Sequence, residues 1–359
     1  MTEKIRYAVV GAGWISQIAF MPGVANTTNS VMTAIVSGNA DAAAKLADFY
    51  GIPHVYTYEQ YDEMLAAGVV DAVYIALPNS MHADCAIRAA KAGIHQLVEK
   101  PLAMNVAECE AMIAAADASN TRLMTAYRLH NEPGTVELLE TIRRGEIGTP
   151  RLFSSVFTQQ VSATNHRLKA EHWGGPMPDM GVYCLNAARH VFGAEPVEIM
   201  AMKASGDDSR FDDVEEAMSA TLRFPGGALA VFTASFGTDP VDGFTVAGTE
   251  GEIEMRPAFG FKDPTHMLVR KDGKVVREEH FEHTDHFGGQ TEYFSDCIVR
   301  GERPESDGEE GLADVAALLA MEDAVRTGQP QTLDLAARPR HPTPDIVRRV
   351  PVTDRRLVL

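Results

Sequence analysis

Ile5-Arg6-Tyr7-Ala8-Val9-Val10-Gly11-Ala12-Gly13-Trp14-Ile15-Ser16 reads as a buried strand, a glycine turn and the start of a helix. Gly11 permits the tight turn, and Gly13 lets a pyrophosphate approach the backbone. The helix that follows offers free N–H groups and the positive end of its dipole to the phosphates. Ser16 stands at the third small position of the fingerprint, where close helix–strand packing needs a small side chain. Gly11, Gly13, Trp14 and Ile15 are therefore assigned to a dinucleotide.

The next strands extend this unit. Residues 31–36 form a second strand that ends in Ser37-Gly38-Asn39. A site for NAD usually carries Asp or Glu here to bind the ribose 2′-hydroxyl. No acid stands at 37–39, and Ser37 and Asn39 are donors that would welcome a 2′-phosphate, so the expected cofactor is NADP in preference to NAD. A strand over 71–77 ends in Leu77-Pro78-Asn79-Ser80-Met81-His82, with Asn79 or Ser80 as an expected helix cap. Another ends in Leu97-Val98-Glu99-Lys100-Pro101. Pro101 cannot donate to a ladder and restricts the residue before it, so Lys100 is held at the carboxyl end of its strand. Six strands alternate with helices up to residue 126, which predicts a doubly wound parallel sheet. Right-handed crossovers then place Gly11, Ser37, Pro78 and Lys100 on one edge, where such sheets bind ligands. Leu77, Pro78, Asn79, His82, Glu99 and Lys100 join the cofactor-binding set, with Gly38 in the turn after the second strand.

The pattern changes after Tyr127. Strands are predicted at 151–160, 196–205, 214–224, 228–236, 241–248, 251–256, 266–271 and 274–281, with few helices between them. That is a large, mainly antiparallel open sheet of α+β character. Helices over 178–192, 288–300 and 308–326 are expected to cover one face. The other needs a partner, so a homodimer or homotetramer through this sheet is predicted. The tail over 331–359 holds six arginines against three aspartates, with four prolines and no periodicity. It reads as an extended arm on the acidic body or on a neighbouring subunit. The fold class is thus α/β: a Rossmann NADP-binding domain over 1–127, an α+β substrate and oligomerisation domain over 128–330, and an arm over 331–359.

Bulk properties bound the rest. With 359 residues, 45% of them hydrophobic, the chain is long enough for two cores. A formal net charge of −18 argues against nucleic acid and against an anionic membrane surface. Cys85, Cys109, Cys184 and Cys297 lie far apart and read as reduced thiols. Met1-Thr2-Glu3-Lys4 runs into the first strand without a charged-then-apolar leader, so a cytoplasmic location is expected. No metal is expected: Glu279, His280, Glu282, His283, Asp285 and His286 cluster in sequence, but a solvated loop would look the same.

Asp179-Met180-Gly181-Val182-Tyr183-Cys184-Leu185-Asn186 is the second informative stretch. Asp179 and Tyr183 are four apart and share a helix face, which Asn186 and His190 continue. The remaining positions are mostly apolar. A narrow polar stripe of this kind serves either a polar pocket or a buried structural network.

The glycine turn at 11–16, Pro78-Asn79 with His82, Glu99-Lys100-Pro101 and the helix opening at Asp179 together resemble the glucose–fructose oxidoreductase / inositol dehydrogenase / MocA family. Ser37-Gly38-Asn39-Ala40, Tyr127-Arg128 with His130, Glu132 and Pro133, Tyr183-Cys184-Leu185-Asn186, and Gly308-Glu309-Glu310-Gly311 look most like its glucose–fructose oxidoreductase branch. The resemblance implies NADP as cofactor, a sugar as substrate, and hydride transfer between them. This would be aldose to lactone, alone or coupled to reduction of a second sugar. It implies Lys100, Asp179 and Tyr183 as the catalytic set, touching substrate together with Tyr127, while Arg128 and Arg167 lie on the cofactor side. Tyr183 would take the hydroxyl proton. A free tyrosine, with a pKa near ~10, is too weak a base at neutral pH unless a cation such as the Lys100 ammonium stabilises its phenolate. Asp179 would orient Lys100 or hold a second hydroxyl. The expectation is that Lys100 and Tyr183 meet over one nicotinamide. An inositol or trans-dihydrodiol dehydrogenase is the enzyme alternative, and a non-catalytic NADP or sugar sensor of the same fold is the other.

Overall fold

The structure is a computed structural model that describes residues 4–359, so the leader reading of Met1-Thr2-Glu3 lies outside the described residues. The chain divides into two compact units. Of the described residues, the first comprises 4–132, 284–312 and 345–359, and the second 133–283 and 313–344.

In the first unit, β1 (Ile5–Val10), β2 (Ser30–Val36), β3 (His54–Tyr56), β4 (Ala72–Ile75), β5 (His95–Val98) and β6 (Leu123–Thr125) form one sheet in the order β3-β2-β1-β4-β5-β6. Every pairing is parallel. Helices cover both faces, which is why the strands are almost continuously apolar. Tyr7, Ala8, Val9, Ala34, Ile35, Val36, Val73, Tyr74, Ile75, Leu97 and Val98 are buried. The order reverses between β1 and β4, so the crevice at that switch point opens beyond the carboxyl ends of these strands. Helix Ala40–Tyr50 is capped by Asn39, whose side chain accepts from the Ala42 N–H, and ends on Gly51 in the left-handed region. Helix His82–Lys91 starts after a 3₁₀ turn, Asn79–Met81, with Met81 at its N-cap position and no capping bond from that side chain. Asn79 and Ser80, expected as caps, stand in the 3₁₀ turn that leads the chain in.

The sequence-based boundaries need a second correction. Helix His286–Arg300 was expected over the antiparallel sheet but belongs to the first unit. Gly288 comes so close to Gly23 that a Cβ on it would sit 3.0 Å from the Gly23 carbonyl oxygen. Two turns further on, Ser295 Oγ lies 2.8 Å from both Tyr7 Oη and Ser30 Oγ. Small and hydroxyl side chains at this spacing set the contact, and hydrophobic periodicity does not register them.

The 331–359 arm also divides. Residues 345–359 lie on the first unit. Arg348 pairs with Asp296 at 2.8 Å, the Asp285 N–H donates to the Val350 carbonyl at 2.7 Å, and Arg355 donates to the Phe49 carbonyl at 3.2 Å. Gln331–Thr332 instead adds a short strand, β15, to the sheet of the second unit.

That sheet contains β7 (Pro150–Gln160), β8 (Glu198–Ala204), β9 (Ala217–Arg223), β10 (Leu229–Ser235), β11 (Gly237–Gly248), β12 (Glu252–Met255), β13 (His266–Lys271) and β14 (Lys274–His280). Its order is β14-β13-β12-β11-β7-β10-β9-β8-β15. β7 and β10 run parallel, and the other pairs are antiparallel. Phe153, Leu222, Phe232, Val246, Ile253, Met267 and Val269 point to the buried face, where helix Val182–Phe192 packs. The outward side chains alternate with them, as a half-buried sheet requires. Among the described residues, no helix is long and apolar enough to cross a membrane.

Candidate active site

The glycine turn of the first unit has the backbone its sequence demands. Gly11 has φ +93°, and a Cβ there would lie 2.6 Å from the Ala76 carbonyl oxygen. Any side chain would be strained in conformation and would collide with β4's exit. Ser16 Oγ donates to the Gly11 carbonyl at 2.6 Å and fixes the helix against the turn. Gln17 donates to the Ala12 carbonyl at 2.7 Å and accepts from the Leu359 N–H at 2.7 Å, so Leu359 braces the turn. Gly13 is different: a Cβ there would meet nothing within 4 Å. The space beside it is what a pyrophosphate would use, so the turn fits a dinucleotide. Gly13→Ala is accordingly expected to fold like the parent and to raise the NADP dissociation constant about tenfold or more, measured by fluorescence titration. Equal affinity would place the phosphates elsewhere.

Around this turn the expected cofactor residues fall into two groups. Gly13, Trp14, Gly38 and Asn39 are exposed, while Ile15, Pro78, Asn79, Glu99 and Lys100 are half-buried at the sheet edge. These can meet a ligand directly. Ser37 is nearly buried, and its Oγ accepts from the Asn39 N–H at 3.2 Å, shaping the turn where a 2′-phosphate is expected.

The second group is enclosed. Leu77 packs beneath Gly11. His82 is wholly buried, with Nδ1 3.0 Å from the Pro101 carbonyl and Nε2 2.9 Å from the Leu77 carbonyl. Burial pushes its pKa down. His82 thus ties the loop after β4 to the loop after β5, among the residues expected to hold the cofactor. Arg128 is also buried, with Nη1 donating to His286 Nδ1 at 3.1 Å. Tyr127, expected on the substrate, is an enclosed ring stacked on His130 at 5.3 Å, and His130 Nδ1 lies 2.6 Å from Glu305 Oε2. Both residues are held inside the first unit by these partners. Glu305 was not singled out in the sequence, and His286 only within the 279–286 cluster, because they lie more than 150 residues from the groups they meet.

Lys100 follows β5 through a cis peptide bond to Pro101. Its neighbour Glu99 accepts from Tyr74 Oη at 2.7 Å and from the Lys100 N–H at 3.3 Å. Burial raises the Glu99 carboxyl pKa, while the Lys100 and Arg128 cations pull it down. Glu99, Lys100 and Arg128 are therefore one electrostatic group at the end of β5.

In the second unit the expected helix over 178–192 opens as a π-turn, Met177–Gly181, and continues as the α-helix Val182–Phe192. Pro178 inside that turn has no N–H to give to the ladder, and such wide turns are frequent at functional sites. The turn carries Asp179, and the α-helix carries Tyr183 near its start. Asp179 Oδ1 lies 2.9 Å from Arg167 Nε. Arg167, expected on the cofactor, is thus the partner that orients Asp179. The Tyr183 ring is edge-on to Phe157 at 5.9 Å and tilted against Phe259 at 6.3 Å. Asp242 holds the loop of Phe259 by accepting the N–H groups of Ala258, Phe259 and Gly260 at 2.7–2.9 Å. The aromatic walls were not singled out in the sequence, since Phe157 reads only as a strand residue.

The rest of the polar stripe is structural. Asn186 donates to Asp314 at 2.9 Å, and Arg189 bridges Asp314 and Glu195 at 2.5–2.9 Å. His190 lies against His341. All of the first four are buried, and buried charge is tolerable only when paired in this way. The stripe thus divides, with Asp179 and Tyr183 half-buried and Asn186 committed to the core.

A doubly wound sheet with a glycine turn at its switch point defines a dinucleotide-dependent class of protein. Residues 5–127 match the oxidoreductase family with an NAD-binding Rossmann fold, GFO/IDH/MocA, and residues 135–254 match the GFO/IDH/MocA C-terminal domain. The chain belongs to this family. It is 32% identical over 339 residues to a D-xylose 1-dehydrogenase (NADP(+)) of Haloarcula marismortui, covering 92% of this chain and 94% of that protein. The crystal structure of an aldose-aldose oxidoreductase from Caulobacter crescentus, complexed with glycerol, has a TM-score of 0.87 and 33% identity, covering 92% of this chain and 100% of that one. KijD10, a 3-ketoreductase from Actinomadura kijaniata with NADP and TDP-benzene bound, has a TM-score of 0.82 and 27% identity, covering 91% of this chain and 98% of that one.

Proposed function

We propose that this chain is an NADP-dependent oxidoreductase that moves hydride between the nicotinamide and a CH–OH group of a sugar. In the forward direction an aldose becomes a lactone, and the reduced cofactor can then serve a second sugar. The reading rests on one observation above others. A chain matched over 92% of its length to a xylose dehydrogenase has a lysine at its crevice edge, and an acid and a phenol four residues apart. When bound, the nicotinamide ring supplies hydride chemistry.

The chain's own residues supply the rest. The 11–16 turn holds the pyrophosphate, while Ser37, Gly38 and Asn39 receive the ribose 2′-phosphate without an acid to repel it. Tyr183 takes the hydroxyl proton as hydride leaves carbon, and returns it in the reductive direction. Lys100 supplies the positive charge that stabilises the phenolate. Asp179, oriented by Arg167, holds a further sugar hydroxyl. Four buried cysteines with raised thiol pKa values, about 11 for Cys85 and Cys297 and about 12 for Cys109 and Cys184, favour a cytoplasmic enzyme of reduced thiols.

The test is the reduced-nicotinamide absorbance of purified protein with NADP and a panel of aldoses, ketoses and cyclitols. Growth of that band with an aldose supports the reading. Turnover of cyclitols alone would make the protein an inositol-type dehydrogenase, and no change with any sugar would leave a sensor.

A homo-oligomer through the second sheet is part of this proposal. Leu152, Val156, Leu229, Val231, Met200 and Met202 are exposed on one face of neighbouring strands, with Met202 74% exposed. Apolar side chains exposed in this way on one sheet face call for a cover, and a second copy brings the same face. Replacing Val231 and Met202 by glutamate is expected to reduce the native mass to that of one chain, read by light scattering. An unchanged mass would move the interface elsewhere.

A further inference from the structure

We propose that the β13–β14 hairpin carries a binding site for one divalent transition-metal ion of the zinc class, formed by His266, Glu278 and His280. The six-residue cluster over 279–286 does not converge on such a site. His283 Nε2 lies 3.2 Å from the Phe261 carbonyl, Asp285 accepts from the Gly288 N–H at 2.7 Å, and His286 is buried against Arg128. Glu279 pairs with Arg277 at 2.6 Å. Strand pairing, however, brings His280 two partners that sequence spacing does not.

His266 stands directly opposite His280 in the antiparallel register, and Glu278 faces Leu268 two positions back. Residues two apart on a strand share a face, and directly opposed residues share it too, so all three side chains rise from the outer face of the sheet. Their heads converge. The two imidazole rings are parallel within 3°, with centroids 4.0 Å apart. Glu278 Oε1 is 3.0 Å from His266 Nε2 and 3.5 Å from His280 Nε2. The three ligating atoms lie within 4.8 Å of one another.

Zinc binds imidazole nitrogen at about 2.0–2.1 Å and carboxylate oxygen at about 2.0–2.2 Å, which puts tetrahedral ligand atoms roughly 3–3.5 Å apart. The spacing already matches for the two histidine–glutamate pairs, and the two stacked rings must turn out of parallel for both to face one ion. Two imidazoles and one carboxylate favour zinc, nickel or copper(II) over calcium or magnesium, which take oxygen ligands. Three protein ligands leave a fourth position for water, on a surface where the His280 side chain is 72% exposed. β14 is the last strand of the sheet, and the ion would pin this edge strand to its neighbour β13.

The experiment uses the full, tag-free chain after chelator treatment, titrated calorimetrically with zinc chloride. The expected result is saturable binding of one ion per chain and a higher thermal midpoint with zinc, because the ion binds the folded form. His266→Ala and His280→Ala should each weaken binding by at least about tenfold and remove the thermal shift. His283→Ala should bind as the parent does. No saturable binding by the parent, or binding that survives substitution of both His266 and His280, overturns the proposal. Oxidoreductase activity does not enter the readout.

Discussion

Replacing Tyr183 by phenylalanine should cut sugar turnover by about a hundredfold or more while NADP affinity stays near that of the parent. The substitution removes one hydroxyl and keeps the ring that packs against Phe157 and Phe259, so the helix Val182–Phe192 and its aromatic walls stay in place. Loss of a positioned proton acceptor is worth about 10²–10⁴ in rate. A hundredfold corresponds to about 2.7 kcal/mol of transition-state stabilisation, far more than the loss of an exposed polar contact would give. Steady-state kinetics and nucleotide titration separate the two quantities. Unchanged turnover would take Tyr183 out of the chemistry.

Lys100→Met should have an effect of similar size, by a different route. Methionine keeps the unbranched stem and loses the ammonium. The charge at the end of β5 changes with it: the buried Glu99 carboxyl loses the cation that most strongly holds its pKa down, so its pKa rises further. Nucleotide binding through the 11–16 turn does not depend on that charge and should persist. Combining Lys100→Met with Tyr183→Phe tests whether the two residues serve one proton transfer. If they do, the double variant is scarcely slower than either single one, because groups acting as a unit are not additive. Multiplying effects would mean separate roles, and a Lys100→Met enzyme with full turnover would exclude Lys100 altogether.

Much of the architecture was legible in the chain because local chemistry specifies it. A glycine that must take φ +93°, strands buried on both faces and alternating strands with one wet face leave periodic marks, so all six parallel strands and the eight long strands of the second sheet lie close to their predicted positions. Asn39 was read as a cofactor donor. It also caps its helix, two uses of one side chain that sequence inspection cannot separate.

Exposure was not legible. His82, Tyr127 and Arg128 are residue types common at active sites, and they sit where ligand contacts were expected. Whether such a side chain faces a ligand or a backbone carbonyl depends on loops that arrive from elsewhere in the chain. For His82 those are the Leu77 and Pro101 carbonyls, and for Arg128 the partner is His286.

The residue order alone specified the nucleotide turn, the carboxyl edge bearing Lys100 and the helix bearing Asp179 and Tyr183, since each depends on neighbours within a few positions. Long-range packing assigned Asn186 to Asp314, Arg167 to Asp179, helix His286–Arg300 to the first unit, and His266 to His280 across a strand pair. The reason is physical: burial and pairing are properties of what folds alongside a residue, and nothing in a residue's own spacing records which distant segment that is.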